Sequence, residues 1–297
     1  LLKVTGEVDK ITTYYLNQPT SLNIQAIITN LDKTKLYPKD FEKEHIEVNI
    51  PDFTLRYYQD GGKILQKGLV VGRIDRPTPI FSDTMTYIVL NPTWTVTDNL
   101  IKRDLIPVLR ENPEYLKENN IRVFRGKKEV EVTQEMLDPY EKSDKPVPYR
   151  FVQFPGETNA LGRVKFMFPN KYDVYIHDTD NKSLLDRRYK IYSSGCMRVE
   201  QPFELVDILL KHSKKQYKID DILATNKPKT IGLKKRIPVH MLYFTVYEEN
   251  GLAYFKNDIY LYDKIIEESV VGNKKSTFTI PKKRMISVKK NAQPLSN

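Results

Sequence analysis

Tyr175-Ile176-His177-Asp178-Thr179 and Ser193-Ser194-Gly195-Cys196-Met197-Arg198-Val199 are the two stretches on which the reading of this chain turns. In the first, alternation along a strand puts Tyr175 and His177 on one face. In the second, Cys196 follows a Ser-Ser-Gly turn, nineteen residues after His177. If the two strands are neighbours, imidazole and thiol can meet. An unperturbed thiol, with a pKa near ~8.5, is mostly protonated at neutral pH, so a nucleophilic cysteine needs such a base. Gly195 allows the tight turn, and the amides of Gly195 and Cys196 are positioned to donate to a developing oxyanion. Arg198 is placed to raise the local positive potential or to bind a substrate carboxylate. A plainer reading stays open on residue chemistry alone: Cys196 as a small buried hydrophobe, His177 as a satisfied strand-end histidine, Tyr175 as a core aromatic.

Around this pair the chain reads as mixed, mainly β with some helices. Upstream, Gly6 to Asn17 is helical in pattern, and Ser21 is placed to cap a second helix carrying Leu22, Ile24, Ala26, Ile27 and Leu31. Pro38 to His45 reads as a polar linker. From Ile46 the period becomes two, through Val48, Ile50, Phe53 and Leu55, with Asp60-Gly61-Gly62 as a hairpin turn before Ile64, Leu65, Leu69 and Val71. Residues 93–157 break the strand pattern. A helix is expected from Thr97 or Asp98 with Leu100, Ile101, Leu105 and Leu109 inward, kinked or divided at Pro107, and Asn112-Pro113 restarts a short one. The charged segment Arg122–Glu131 and a loop from Tyr140 to Pro148 complete what reads as a helical insertion, either a substrate cover or a passive decoration. Strands are expected at 164–168, 174–177, 189–192, 239–247 and 253–255, with helices opening at Pro202 and near Asp220.

Composition narrows the classes. The length of 297 residues suggests about two domains, or one domain with a long insertion, and a 40% hydrophobic share can build a core. No apolar run approaches the ~18–20 residues of a membrane span. Of the net charge of +10, seven units come from the tail Asn273–Asn297, which has no acidic residue, so residues 1–272 carry only +3. A nucleic-acid-binding fold is therefore not expected, and the tail reads as a solvated end. One cysteine excludes an internal disulfide, and the four histidines show no metal-ligand spacing. Neither a metal nor a cofactor is expected.

The two stretches together resemble the active-site signature of the L,D-transpeptidases with a YkuD-type catalytic domain: a histidine on a strand, then a Ser/Thr-x-Gly-Cys-x-Arg core. Ser194 stands where many members carry histidine, as in the YcbB-like branch. Arg73, Arg76-Pro77-Thr78-Pro79, Asn91-Pro92-Thr93-Trp94, Asn159 to Phe166, Phe168-Pro169-Asn170 and Pro238-Val239-His240 also look like that branch. The resemblance implies a catalytic domain over 46–272 with a capping insertion at about 93–157. Residues 1–45 would be a linker plus the helical remnant of a peptidoglycan-binding domain, and 273–297 a basic tail. It implies Cys196 as nucleophile, His177 as base, and Tyr175, Gly195 and Cys196 on the oxyanion side. Ser194 would orient His177 through its carbonyl, Arg198 would bind substrate or hold the turn, and Trp94 would touch substrate or anchor the cap. It also implies donor and acceptor peptidoglycan stem peptides, a 3→3 crosslink with release of D-alanine, carbapenem sensitivity of a low-pKa thiolate, and a periplasmic or cell-envelope location. A monomer is expected, with a signal or anchor segment missing from this chain. Two alternatives remain: an L,D-carboxypeptidase that trims tetrapeptides, and a non-catalytic wall-binding protein.

Overall fold

The computed structural model describes residues 6–211, 213 and 215–271; the basic tail and His212 lie outside the described residues. Helices α1 (Lys10–Leu16) and α2 (Thr20–Lys33) lead into strands β1 (Glu44–Asn49), β2 (Thr54–Gln59) and β3 (Gly62–Gly72). Strands β4 (Ser82–Leu90) and β5 (Trp94–Thr95) precede a helical run of α3 (Asp98–Leu100), a π-helical turn over Ile101–Leu105, α4 (Ile106–Glu111) and α5 (Tyr115–Glu118). Then come β6 (Ile121–Arg125), β7 (Lys128–Glu129), α6 (Gln134–Glu141), β8 (Arg150–Gln153), β9 (Val164–Met167), β10 (Ile176–His177), β11 (Ile191–Ser193) and β12 (Met197–Val199). The chain continues through α7 (Pro202–Leu210), α8 (Ile219–Ala224), β13 (Lys229–Leu242), β14 (Val246–Glu249), β15 (Leu252–Phe255) and α9 (Tyr262–Val271). The fold is α+β, mainly strand.

These elements form two compact units, residues 6–66, 79–82 and 240–271 in one, 67–78 and 83–239 in the other. In the first, β1 and β2 pair antiparallel with Ile46 opposite Tyr57 and Val48 opposite Leu55, all buried. The expected turn follows, with Asp60 and Gly61 at φ +52° and +80°, the left-handed pair that matches strand twist in a two-residue hairpin. Helix α2 departs from expectation. It starts after Pro19 without a side-chain cap, and it buries Thr29, Asn30 and Lys33 while Leu22, Ile24, Ile27 and Leu31 are exposed. Specific polar bonds hold that face instead: Lys33 Nζ lies 2.6 Å from Asp263 Oδ1 and donates to Tyr243 O at 2.8 Å.

In the second unit the strand order is β11-β3-β12-β10-β9-β4-β13. The 93–157 insertion is not purely helical. It contains its own sheet, β5-β8-β6-β7, because Ile121 and Val123 alternate inward beneath the charged residues that hid them, and Gly126 at φ +62° turns the chain back. Trp94, Leu100, Ile101, Leu105, Leu137 and Phe151 belong to the insertion's buried core. Pro107 does not break the helical run from Asp98 to Glu111. Within the π turn before it, Ile106 N bonds to Ile101 O, five residues back, a local widening that suits a residue unable to donate. Helix α6 extends to Glu141 despite an internal Pro139, where a loop is expected from Tyr140.

Candidate active site

Three strands bring the chemistry together. β10 lies between β9, antiparallel with Lys165 opposite His177, and β12, parallel with Arg198 opposite His177. Residues paired across a ladder share a face, and residues two apart on one strand do too. Ile176, Phe166 and Met197 therefore point to one side, and all three are fully buried. His177, Lys165 and Arg198 point to the other, joined by Tyr175 and Cys196 where the strands begin. Met197 N donates to Tyr175 O at 3.0 Å, which sets this register. The Tyr175 and His177 rings meet edge-on with centroids 5.7 Å apart, and Lys165 Nζ sits 5.4 Å from the Tyr175 ring centre.

His177 is fully buried, and its Nδ1 lies 2.5 Å from the Asp178 carbonyl oxygen. A carbonyl can only accept, so Nδ1 carries the proton and Nε2 keeps its lone pair. That Nε2 has no hydrogen-bond partner. Burial first, then the positive charges of Arg198 and Lys165, push the imidazole pKa down to about 3. Asp178 is itself fixed, Arg163 N donating to its Oδ2 at 2.9 Å. Gly162 is required beside it, at φ +59° and with a Cβ that would come within 2.4 Å of the Asp178 carboxylate.

The half-buried Cys196 thiol is pushed up to about 11 by burial, against hydrogen bonds from the Tyr175 main chain and side chain and the charges of Arg198 and Lys165. At neutral pH both partners are thus uncharged in the resting site. In the resting site the surrounding cations do not offset the loss of solvent, so the thiol stands above the low pKa that the resemblance implies. Arg198 is the buried cation of the site. It is fully buried, none of Nε, NH1 and NH2 has a partner, and burial lowers its pKa to about 10.

The turn that carries Cys196 is tightly held. Gly195 takes φ +116°, a region closed to other residues without strain. Ser193 Oγ accepts from Gly195 N at 3.2 Å and donates to Cys196 O at 2.5 Å. A loop at 72–78 grips the outside of the turn: Arg73 N donates to Ser193 O at 2.9 Å, and Thr78 Oγ1 donates to Gly195 O at 2.8 Å. Arg76 NH1 donates to Ser194 Oγ at 2.9 Å, and the same guanidinium forks onto Asp104 at 2.5 and 2.9 Å. That loop curls so closely over Gly72 that a Cβ there would lie 2.2 Å from Arg76 O.

Of the residues expected from sequence, Tyr175, His177, Ser194, Gly195, Cys196 and Arg198 converge here. Trp94 does not. It is 3% exposed in the core of the insertion, so of its two expected roles it is the anchor. Ser194 is near the site, yet the carbonyl on His177 Nδ1 is that of Asp178 and not of Ser194. Sequence reasoning gave no role to Lys165, Asp178, Arg76 or Asp104. Lys165 was visible as the polar break between Val164 and Phe166; the others are linked only by tertiary contact. Among the described residues no group of three His, Cys, Asp or Glu converges to hold a metal, and no helix is long and apolar enough to cross a membrane.

Comparison with known proteins fits this geometry. The YkuD family model, described as an L,D-transpeptidase catalytic domain, matches residues 43–231. A curated Haemophilus influenzae protein, provisionally named an L,D-transpeptidase, is 35% identical over 243 residues. That match covers 82% of this chain, which spans about half of the relative, 49% of its length. Among solved structures, an L,D-transpeptidase from Mycobacterium smegmatis matches at 12% identity over 67% of this chain and 58% of that one, with a TM-score of 0.32. The catalytic domain of an E. faecium L,D-transpeptidase, acylated by ertapenem, matches at 15% over 68% and 99%, with a TM-score of 0.31. Structural scores this low carry no argument about the site.

Proposed function

This chain belongs to the YkuD family of L,D-transpeptidase catalytic domains, and from that premise we propose that it is a peptidoglycan L,D-transpeptidase that forms 3→3 crosslinks through a Cys196 acyl-enzyme. The observation that carries the reading is the β9–β10–β12 register, which gathers His177, Tyr175, Cys196 and Arg198 on one face with His177 Nε2 unpartnered. Cys196 Sγ attacks the carbonyl between the third stem residue and the terminal D-alanine, while its proton passes to His177 Nε2. The C–N bond breaks, D-alanine leaves with that proton on its amine, and a thioester remains. The side-chain amine of an acceptor stem then attacks the thioester, yields its proton to His177, and releases the Cys196 thiolate, which His177 reprotonates. A pair that is neutral at rest needs no separated charges before substrate binds, so proton transfer accompanies attack. Cys196 N–H and the Tyr175 hydroxyl donate to the oxyanion, while the Gly195 N–H also expected there is turned onto Ser193 Oγ at 3.2 Å. The unpartnered Arg198 guanidinium supplies a charge for a substrate carboxylate.

The same reading places the chain in the YcbB-like branch on Ser194, with 46–272 as the catalytic domain, 93–157 as the cap over the substrate and 1–45 as the end of a wall-binding domain. It places the enzyme in the periplasm or cell envelope as a monomer, open to acylation by carbapenems. Incubation of purified disaccharide-tetrapeptide with the wild-type chain and with Cys196→Ala, read by mass spectrometry, tests the reaction. Crosslinked dimers from the wild type alone are expected. Tripeptide monomers without dimers would make the enzyme an L,D-carboxypeptidase, and unchanged substrate would leave a wall-binding protein.

A further inference from the structure

The π-helical turn Ile101–Leu105 of the insertion carries Asp104, and Asp104 is the partner of the arginine that holds the nucleophile turn. Arg76 is largely buried, its side chain 12% exposed, and its two terminal nitrogens form a fork onto both Asp104 oxygens. NH1 is shared with Ser194 Oγ, two residues before Cys196. A planar guanidinium fixed at both ends has little rotational freedom, so the position of one carboxylate dictates where the Ser194 hydroxyl sits. The neighbouring residues of the loop support this geometry, since Arg73 N and Thr78 Oγ1 hold the residues on either side of Ser194 by their carbonyls. Ser194 is the member of the turn held by its side chain, and its holder reaches into the insertion.

We propose that Asp104 and Arg76 are positioning residues that act through Ser194, registering the insertion's π turn to the Cys196 turn so that the nucleophile is aligned only when the insertion is seated. π turns are often found at functional sites in helices, and this one sets Asp104 in a helical run that Pro107 would otherwise kink. Arg76 touches neither thiol nor imidazole, and its effect is on alignment. The inference rests on Cys196 being the nucleophile, and deepens that reading by naming what orients it.

Cys196 is the chain's single cysteine, so iodoacetamide alkylation reports its reactivity without any peptide substrate. The test compares Asp104→Asn, Arg76→Lys and the double variant, reading the alkylation rate from pH 6 to 10 and the rate of acylation by meropenem, with thermal midpoints alongside. Each single variant should slow acylation about tenfold, as expected for members of one hydrogen-bond network. The Asp104→Asn effect should vanish in the Arg76→Lys background, and the alkylation profile should shift in both. A purely structural pair would lower the thermal midpoint with the acylation rate at 20 °C unchanged, and that outcome overturns the inference. Additive slowing in the double variant overturns it too. If Asp104→Asn does not fold, Asp104→Glu, which keeps the charge and displaces the fork, gives the same reading. A wild-type chain that is alkylated and acylated with the predicted coupling yet makes no peptide product would refute the transpeptidase and leave the positioning pair standing.

Discussion

Cys196 and His177 share one face of the β10–β12 pair and are both neutral at rest, and that neutrality has measurable consequences. With the thiol near 11, alkylation of Cys196 should keep rising through pH 9 and 10; a plateau near neutrality would reveal a preformed thiolate and contradict it. For His177 the sign is set by the unfolded chain, whose imidazole binds a proton below about 6.5 while the folded one refuses it down to about 3. The unfolded state binds more protons in that window, so stability falls as pH drops through it. Each unit of that fall costs at most about 1.4 kcal/mol. His177→Gln should remove this component, and urea midpoints at pH 7.5 and 5 for both proteins would check it; equal acid losses would contradict it. At this scale the residues proposed as nucleophile and base were legible in the sequence because their residue types are rare and their spacing distinctive. It did not show Lys165 or Asp178, whose roles depend on the β9–β10 register and on a main-chain carbonyl that every residue has.

At the scale of elements, the backbone geometry of the turn and loop is the vulnerable part. Gly72→Ala would push a Cβ into the Arg76 carbonyl, a backbone atom that cannot swing away. A loss of about 1–3 kcal/mol is expected from such overpacking, together with slower acylation because the 72–78 loop holds the Cys196 turn. Gly195→Ala is strained by its φ of +116° and not by crowding, its nearest side-chain neighbour lying at 3.5 Å. Trp94→Ala should destabilise the chain by about 3–5 kcal/mol, as large-to-small changes in packed cores do, and a denaturant titration would measure it. A Trp94→Ala chain of unchanged stability would return that residue to the substrate. The strands of 46–72 were legible because one face of each is apolar at a period of two, and the hairpin because Asp-Gly-Gly permits positive φ. β6 and β7 were hidden by Arg122, Arg125, Lys128 and Glu129, and the start of β13 by Lys234, Lys235 and Arg236. Those charges are the solvent-facing half of edge or half-exposed strands. Helix α2 misled in the opposite way, since its buried contacts are an ion pair and side-chain hydrogen bonds that no hydrophobic pattern announces.

For the whole molecule, the chain's place in a family of L,D-transpeptidase catalytic domains and the gathered side chains support the proposed enzyme, and the proposed chemistry fixes what it must produce. The charge excess that first suggests a polyanion partner resides mostly in residues beyond 272, outside the described fold. Half the length of the curated relative has no counterpart in this chain, so the proposal is for a catalytic region whose reaction can be assayed directly. The most direct measurement is intact-mass analysis of the chain incubated with disaccharide-tetrapeptide, followed by analysis of the products. The account predicts an adduct on Cys196 equal to the donor less D-alanine, absent from Cys196→Ala, with crosslinked dimers accumulating as it turns over. Dimers formed equally by Cys196→Ala, or no adduct and no product from the wild type, would contradict it.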